Sequence, residues 1–187
     1  MKKKNIILVS VIVAVVLIIA LIAGSYNSLV KLEETVNESQ AIISTQLQRR
    51  ADLIPNFVNT VKGYSDYEQS TFTAVTEART KVNSAANATE QAAASAQLDE
   101  AINIWVNAVT EAYPDLKANQ SYIALQDELA GTENRIATAR IDYNKSVNKY
   151  NTEIRKFPRS IFASIFGFEK LDYFESNNTS VPQVDFE

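Results

Sequence analysis

Cysteine and histidine are both absent from this chain of 187 residues. Without cysteine, the protein has no disulfide, no thiolate metal site, no thiol nucleophile and no lipid-modified cysteine as an anchor. Without histidine, it lacks the commonest general base and the commonest metal ligand, and it cannot form the Glu-x-x-His pairs of di-iron bundles. We therefore expect no cofactor, no metal site and no catalytic residue, and we predict that the protein is not an enzyme.

Glycine and proline are also scarce, with four of each in the chain. No glycine-rich loop that could hold a phosphate is present, and neither is a nucleophile elbow. Few helix breakers, together with abundant Ala, Gln, Glu and Asn, are typical of a mostly helical protein. At this length we expect one ordinary domain with a short tether.

Acidic residues are missing from the start of the chain, because none precedes Glu33. Lys2, Lys3 and Lys4 supply three of the 18 basic residues, so residues 26–187 hold the other 15 against all 22 acidic residues, a net charge of −7. A nucleic-acid-binding surface needs a basic footprint. We therefore expect no nucleic acid as a partner.

One long hydrophobic run lies at residues 6–23, where only Ser10 is not apolar. At about 1.5 Å per residue this run nearly spans a hydrocarbon core of about 30 Å. The lysines before it predict a single-pass anchor in the cell membrane, with the N-terminus cytoplasmic and the rest extracytoplasmic. The alternative is a cleaved signal peptide, because the sequence 23–25 (Ala-Gly-Ser) resembles a cleavage site.

Two stretches that are far apart in sequence share a coiled-coil rhythm. Spacings of four and three residues alternate in each, which predicts two long helices that face each other along one side. The members of the first stretch are Val36, Gln40, Ile43, Leu47, Arg50, Ile54, Phe57, Val61 and Tyr64. The members of the second stretch are Leu129, Glu133, Ile136, Arg140, Tyr143, Val147, Tyr150, Ile154 and Phe157.

Two shorter helices are predicted between the long ones. A capping box, Ser65-x-x-Glu68, opens the first of them, and Asn87-x-x-Glu90 opens the second. The expected inward residues of the first short helix are Phe72, Val75, Arg79, Val82 and Ala86. Those of the second are Leu98, Ile102, Trp105 and Val109, after an alanine-rich start that we expect to bury little surface.

The predicted architecture is all-α: an N-terminal transmembrane helix followed by an antiparallel four-helix bundle with two long and two shorter helices. The long helices are expected at about 26–62 and about 117–157, and proline stops the latter at Pro158. Short linkers make neighbouring helices antiparallel. The predicted divisions are 1–25 for the lysines and transmembrane helix, 26–158 for the bundle, 159–175 for an apolar segment and 176–187 for a polar tail.

The apolar segment at 159–175 is rich in aromatic residues. Its candidates for contact with the membrane interface are Ile161, Phe162, Ile165, Phe166 and Phe168. The functional interpretation places them among the lipid headgroups. The alternative is that the segment folds back to cover the apolar side of the two long helices, and the two interpretations are compatible in part.

Polar residues interrupt both helical stretches and predict a polar layer. If the long helices are antiparallel with Lys62 near Ala118, Arg50 faces Glu133 and Gln40 faces Arg140. Arg79 of the second helix should lie at the height of Arg50. The structural interpretation, which we favour over an ionic functional site, is a layer that fixes helix register.

Several motifs resemble the signature of the LemA family. They are 46–56 (QLQRRADLIPN), 61–64 (VKGY), Glu68, 78–79 (AR), 125–129 (LQxEL), 133–137 (ENRIA), 139–140 (AR), 143–144 and 150–151 (YN), 157–158 (FP), 167–168 (GF) and 173–174 (YF). The similarity covers nearly the whole chain after Gly24. Phe57 departs from it, since leucine is more usual there.

This resemblance implies a bacterial protein with one N-terminal membrane helix, an extracytoplasmic helical bundle and no established enzymatic activity. Some relatives are linked to the formation of internal membranes. We predict a non-enzymatic scaffold or interaction protein of the envelope or membrane; the alternative is a sensory ectodomain that signals through a membrane partner. Its expected partners are the lipid bilayer, through residues 6–23, and an unknown membrane or envelope protein, and the sequence is compatible with a homo-oligomer.

Overall fold

The structure, a computed structural model, describes residues 2–62 and 69–175, and all the regular secondary structure within these residues is helical. The elements are α1 (Lys2–Lys62), α2 (Gln69–Ser84), α3 (Ala88–Ala112), a 3-10 helix (Pro114–Ala118), α4 (Gln120–Glu153) and α5 (Arg159–Phe166). The predicted all-α class is confirmed. Tyr64, the capping box at Ser65, the side chain of Phe72 and the tail at 176–187 lie outside the described residues.

Local sequence signals set several of the helix ends. The Asn87 side chain accepts a hydrogen bond of 2.9 Å from the Glu90 amide, which confirms the predicted cap of α3. The Asn119 side chain accepts bonds from two amides in the first turn of α4. At the end of α5, Gly167 adopts a positive φ of 76°, a conformation that glycine reaches without steric cost.

The chain forms two compact units. Unit 1 contains Met1–Glu38 and Lys145–Leu171, and unit 2 contains Ser39–Asn144 and Asp172–Glu187. The helices α1 and α4 each contribute residues to both units. These units cut across the predicted divisions at 25/26 and 158/159, which stay a prediction.

Unit 2 is an up-down-up-down four-helix bundle, as its side-chain contacts show. The contacts between α1 and α3 are Ser44–Gln91 and Phe57–Trp105. Residue numbers increase in the same direction along both helices, so α1 and α3 run parallel. Between α1 and α4 they run in opposite senses, since Phe57 meets Tyr122 and Arg50 meets Glu133. The helices α2 and α3 are joined by residues 85–87 alone and contact each other at Lys81 and Gln97, so they run antiparallel. Arg79 of α2 lies 3.7 Å from Asp52 of α1. The predicted bundle arrangement is therefore present within unit 2.

The core of unit 2 contains a cluster of three large rings. The Phe57 ring lies 4.8 Å from that of Trp105 and 5.1 Å from that of Tyr122, in tilted arrangements. All three residues are at most 2% exposed. Tilted aromatic pairs contribute about 0.5–1.5 kcal/mol each to stability, beyond the contribution from burial of their surface. This cluster therefore stabilises the core of unit 2.

In unit 1, one part of α1 packs with the end of α4, with α5 and with the segment that follows α5. Leu29, Val36, Val147 and Tyr150 are at most 2% exposed there. The side chain of Asn151 both donates to the Leu171 carbonyl (2.8 Å) and accepts from its amide (2.9 Å). This pair of bonds fastens the end of the unit to α4.

Three details of the predicted helices are wrong. The helix α4 begins at Gln120, after a 3-10 helix, and ends at Glu153, so that Phe157 lies in the turn before Pro158 and is 83% exposed. Ala86 lies beyond the end of α2 and is exposed, whereas Ala78 is buried. The turn at Phe157 interrupts the heptad, and sequence periodicity alone does not show where such a turn begins.

The alanine-rich start of α3 is also more buried than predicted. Ala92 and Ala94 are at most 8% exposed, and Ser95 is fully buried. Small side chains allow helices to approach closely, so even short residues lose their contact with water there. The residues predicted to face inward further along α3, from Leu98 to Val109, are buried as expected.

The N-terminal part of α1 has the length and composition of a membrane span. Within the described residues, α1 is the one helix that is long and apolar enough to cross a membrane, and 0% of its most apolar window is buried inside the protein. Side chains such as Leu8 and Leu21 are more than 60% exposed. A helix so apolar and so unburied fits a membrane anchor.

Candidate functional site

A buried arginine lies at the centre of the bundle in unit 2. Arg50 of α1 is 5% exposed. Its guanidinium bonds Glu133 of α4, the partner expected from the facing positions, and it lies 2.7 Å from Asp99 of α3. Two carboxylates from two different helices thus neutralise one buried cation.

Burial acts on both members of the Arg50–Asp99 pair. Removal from water lowers the pKa of Arg50 and raises the pKa of Asp99, because it disfavours the charged form of each group. The attraction between the two groups opposes both of these effects, and nearby Arg140 also lowers the pKa of Asp99. An arginine side chain stays protonated in proteins, so Arg50 remains a cation that needs its carboxylates.

Arg140 contacts α3 and the C-terminal segment. It donates a 2.6 Å hydrogen bond to Ser95 of α3, and its guanidinium lies 5.0 Å from the centre of the Phe174 ring. Gln40 is half-buried. The expected pairing of Gln40 with Arg140 stays a prediction.

Arg79 of α2 contacts α1. It is half-buried, and its guanidinium lies 3.7 Å from the Asp52 carboxylate of α1. A second group of charges on the surface joins Arg49, Glu128 and Arg135 at 2.7 and 2.9 Å. Exposed ion pairs of this kind contribute little to stability.

Three polar residues of α3, all at inward positions of that helix, were missed by the sequence analysis. Gln91, Ser95 and Asp99 contact Ser44, Arg140 and Arg50, respectively. The spacing of four residues between them, continued backwards from the apolar residues of α3, could have revealed them. The alanines in between concealed this polar stripe.

Two cavities open next to this polar layer, both within unit 2. The larger is about 770 Å³ and is bounded by α3, α4 and the C-terminal segment, with Asn103, Ile104 and Phe174 among its lining residues. The smaller is about 460 Å³ and reaches Arg50. Asp99, Asn103 and Glu133 line both cavities. Both cavities have a mixed polar and apolar lining.

The described residues contain no group of three or more acidic, histidine or cysteine side chains that could hold a metal ion. The chemistry that the polar layer does offer is ion pairing and hydrogen bonding. Such a layer can set the register of the helices and can recognise polar groups.

The candidates for contact with the membrane interface lie on and just after α5, in unit 1. Ile161 is 50% exposed, Ile165 is 68% exposed and Phe166 is 45% exposed. Phe162 and Phe168 are half-buried. The α5 segment therefore has both features considered in the sequence analysis, an inner side that covers the unit and an outer apolar side.

In the part of the chain that the structure describes, a long apolar N-terminal helix and an all-α bundle define the class: a helical-bundle protein with one candidate membrane span. The sequence profile of the LemA family matches residues 39–186. The chain belongs to the LemA family, as its motifs predicted. This match includes the whole polar layer and α5.

Individual relatives also show this similarity in sequence. The chain is 28% identical to magnetosome protein MamQ 2 of Paramagnetospirillum magneticum, over 88% of this chain and 70% of the relative. It is 24% identical to protein LemA of Metamycoplasma hominis, over 87% of this chain and 74% of the relative. It is 25% identical to magnetosome protein MamQ of Magnetospirillum gryphiswaldense, over 80% of this chain and 64% of the relative. None of these names is that of an enzyme.

Proposed function

We propose that this protein is a non-enzymatic scaffold, which is held in the cell membrane by α1 and binds another membrane or envelope protein through its bundle. The observation that carries this proposal is the continuity of α1, which runs as one helix from Lys2 to Lys62. The apolar anchor segment and one helix of the bundle are therefore parts of a single element. A bundle built on its own anchor helix is suited to holding a partner at a membrane.

The binding surface that we assign to this partner is the larger cavity of unit 2. Ile104 is 54% exposed and lines it, together with polar Asn103 and Asn107. An exposed apolar residue with polar neighbours is a common arrangement in transient protein interfaces. The names of the magnetosome relatives favour a role in the organisation of the envelope or of a membrane.

The orientation that we propose places the N-terminus in the cytoplasm and the bundle outside it. Three lysines directly before the apolar run, and no acidic residue before Glu33, support this orientation. The bilayer contact itself is assigned to residues 6–23.

Site-specific photocrosslinking in intact membranes of the native host tests the scaffold proposal. A photoreactive residue at Ile104 is expected to give one defined protein adduct, whereas the same residue at Ile42, which is 49% exposed and lines neither cavity, gives none. Asn103→Trp should fill the cavity and remove the adduct. The same adducts from both positions, or none from Ile104, would contradict the proposal, and an adduct with a second copy would identify a homo-oligomer.

A further inference from the structure

The outer side of α5 and the turn before it form an exposed apolar surface to which the proposed function gives no role. Phe157, Ile161 and Ile165 are spaced four residues apart, and they are 83%, 50% and 68% exposed. Ala163 is 3% exposed, so the opposite side of α5 packs into unit 1. Large apolar side chains that are so strongly exposed over one short stretch mark an interaction site.

Within unit 1, the end of α5 lies close to the part of α1 that follows the apolar run. The Tyr26 ring lies 5.1 Å from that of Phe166 and 5.7 Å from that of Phe168. Tyr26 follows the apolar run, which ends at Ala23, by three residues, or about 4.5 Å along α1. The C-terminal end of α5 therefore lies beside the point where the anchor leaves the hydrocarbon. Tyrosine is itself enriched at this level of a bilayer.

The charges around α5 also favour contact with a membrane surface. Residues 153–170 contain four basic residues, which are Arg155, Lys156, Arg159 and Lys170, and only two acidic ones. This excess contrasts with the acidic character of residues 26–187 as a whole. Arg155 and Lys170 are both exposed, while Lys156 and Arg159 bond Glu153. A basic segment beside an apolar surface attracts anionic lipid headgroups.

We propose that α5, together with Phe157, lies in the headgroup region of the membrane that holds α1 and binds anionic lipid there. The apolar side chains reach the boundary of the acyl chains, and Arg155 and Lys170 contact headgroup phosphates. This inference rests on the anchoring of α1 that forms part of the proposed function. It does not depend on the bundle's binding a partner.

Spin labels on single cysteines test this inference, since the chain has no cysteine of its own. The full-length protein is placed in vesicles of phosphatidylcholine, with or without phosphatidylglycerol, and the depth of each label is measured by collision with oxygen and with a water-soluble nickel complex. A label at Ile165 is expected about 5–10 Å below the headgroup surface. A label at Lys145, which is exposed on α4 in unit 1, is expected to lie in water.

The lipid charge supplies the second measurement. The Ile165 label should lie deeper in vesicles that contain phosphatidylglycerol, and the double variant Arg155→Gln/Lys170→Gln should abolish this difference. Salt at about 1 M should weaken it too, because the screening length then falls to about 3 Å. The two substituted side chains are exposed, so the variant is expected to keep its helical circular dichroism.

Three outcomes would overturn the inference. An Ile165 label as water-exposed as that at Lys145 excludes insertion, a label shielded from both reagents shows that protein covers α5, and equal depth in both lipid mixtures excludes a role for anionic headgroups. A label at Val15, in the apolar run, separates this failure from failure of the anchor. If the Val15 label also lies in water, the anchoring itself is wrong.

Discussion

At the scale of single residues, the most consequential feature is a charge buried among three helices. Arg50 is 5% exposed, and it forms ion pairs with one carboxylate from α3 and one from α4. A buried ion pair contributes little relative to an apolar core, but the loss of one partner is costly because a buried charge is left unpaired. The layer therefore penalises any shift of α3 or α4 that moves Asp99 or Glu133 away from Arg50. Its role in setting register stays a prediction.

Glu133→Ala is expected to lower the free energy of unfolding by about 1–3 kcal/mol, because it removes one of the two carboxylates that neutralise Arg50. Thermal and urea denaturation of the full-length protein in detergent measure this change. Glu111→Ala, at an exposed position on α3, is the matched control and should cost less than about 0.5 kcal/mol. Equal losses in the two variants would contradict the structural role of the polar layer.

Two of the three buried tyrosines on α4, Tyr143 and Tyr150, differ in whether their hydroxyl groups have a hydrogen-bond partner. The Tyr143 hydroxyl donates a 3.0 Å hydrogen bond to the carbonyl of Asp172, and the residue is 3% exposed. Tyr150 is fully buried, and its hydroxyl has no hydrogen-bond partner among the described residues. A buried hydroxyl without a partner costs free energy, whereas a bonded one does not.

The phenylalanine substitutions should therefore act in opposite directions. Tyr143→Phe is expected to lower the free energy of unfolding by about 1 kcal/mol, and Tyr150→Phe to leave it unchanged or to raise it by up to about 1 kcal/mol. The two variants are each other's controls in thermal denaturation followed by circular dichroism. A similar loss in both would show that the Tyr150 hydroxyl has a partner in solution.

Alkaline pH gives a further test of Tyr150. Burial raises the pKa of Tyr150, and nearby Glu33 and Glu169 raise it further. The folded protein thus holds this proton more tightly than the unfolded chain, so its contribution to stability is complete below pH about 10 and is lost as pH rises through the folded pKa. Above pH 10, Tyr150→Phe should become more stable relative to wild type. A constant difference between the two proteins from pH 7 to 11 would contradict this.

At the scale of elements, α4 holds the extended C-terminal segment with two asparagines seven residues apart. In unit 2, Asn144 accepts a hydrogen bond from the Phe174 amide (2.8 Å) and donates one to its carbonyl (3.0 Å). In unit 1, the Asn151 side chain makes the same two hydrogen bonds, accepting one from the Leu171 amide and donating one to the Leu171 carbonyl. A side-chain amide carries one acceptor and two donors, so it can pair with both backbone groups of one residue, as a neighbouring strand would. These bonds satisfy backbone groups in a segment that forms no helix.

Asn144→Asp is expected to loosen this segment, because a carboxylate oxygen replaces the amide donor that faces the Phe174 carbonyl. Backbone amide exchange over 171–175 should become at least about 10-fold faster, which corresponds to roughly 1.4 kcal/mol. Hydrogen exchange followed by mass spectrometry measures it. Asn134→Asp, at an exposed position of the same helix, should leave exchange in this segment unchanged.

At the scale of the whole molecule, charge is divided sharply along the chain. Lys2, Lys3 and Lys4 precede the apolar run, and all 22 acidic residues follow it. Positive charge next to a membrane span is retained in the cytoplasm during insertion. The same division explains why the protein as a whole is acidic although its N-terminus is basic.

Cysteine labelling of intact cells tests the proposed orientation without background from other positions of this chain, since the native chain has no cysteine. A membrane-impermeant maleimide should label Glu111→Cys in intact cells, and it should label Asn5→Cys only after permeabilisation. The reverse pattern would place the bundle in the cytoplasm. Loss of the Asn5→Cys signal from the mature protein, with a correspondingly lower mass, would show that the N-terminus is cleaved.

Much of this fold was decided by sequence alone. Heptad spacing is a local property of a helix, so it identified the inward sides of α1 and α4. Opposite residues of two antiparallel helices follow from one alignment, so the spacing also paired Arg50 with Glu133. The long apolar run and its lysines likewise predict an anchor from composition and length, because a bilayer selects for both.

Only the tertiary structure decided which side chains of a third helix join this pair, and where the chain turns back. Asp99 and Ser95 reach Arg50 and Arg140 because α3 packs its small residues closely, and an alanine-rich sequence does not specify its neighbours. Asn144 finds Phe174 across 30 positions of sequence through backbone groups that every residue possesses. Such contacts carry no periodic signal, so the packing of the folded chain, rather than any local pattern, determines them.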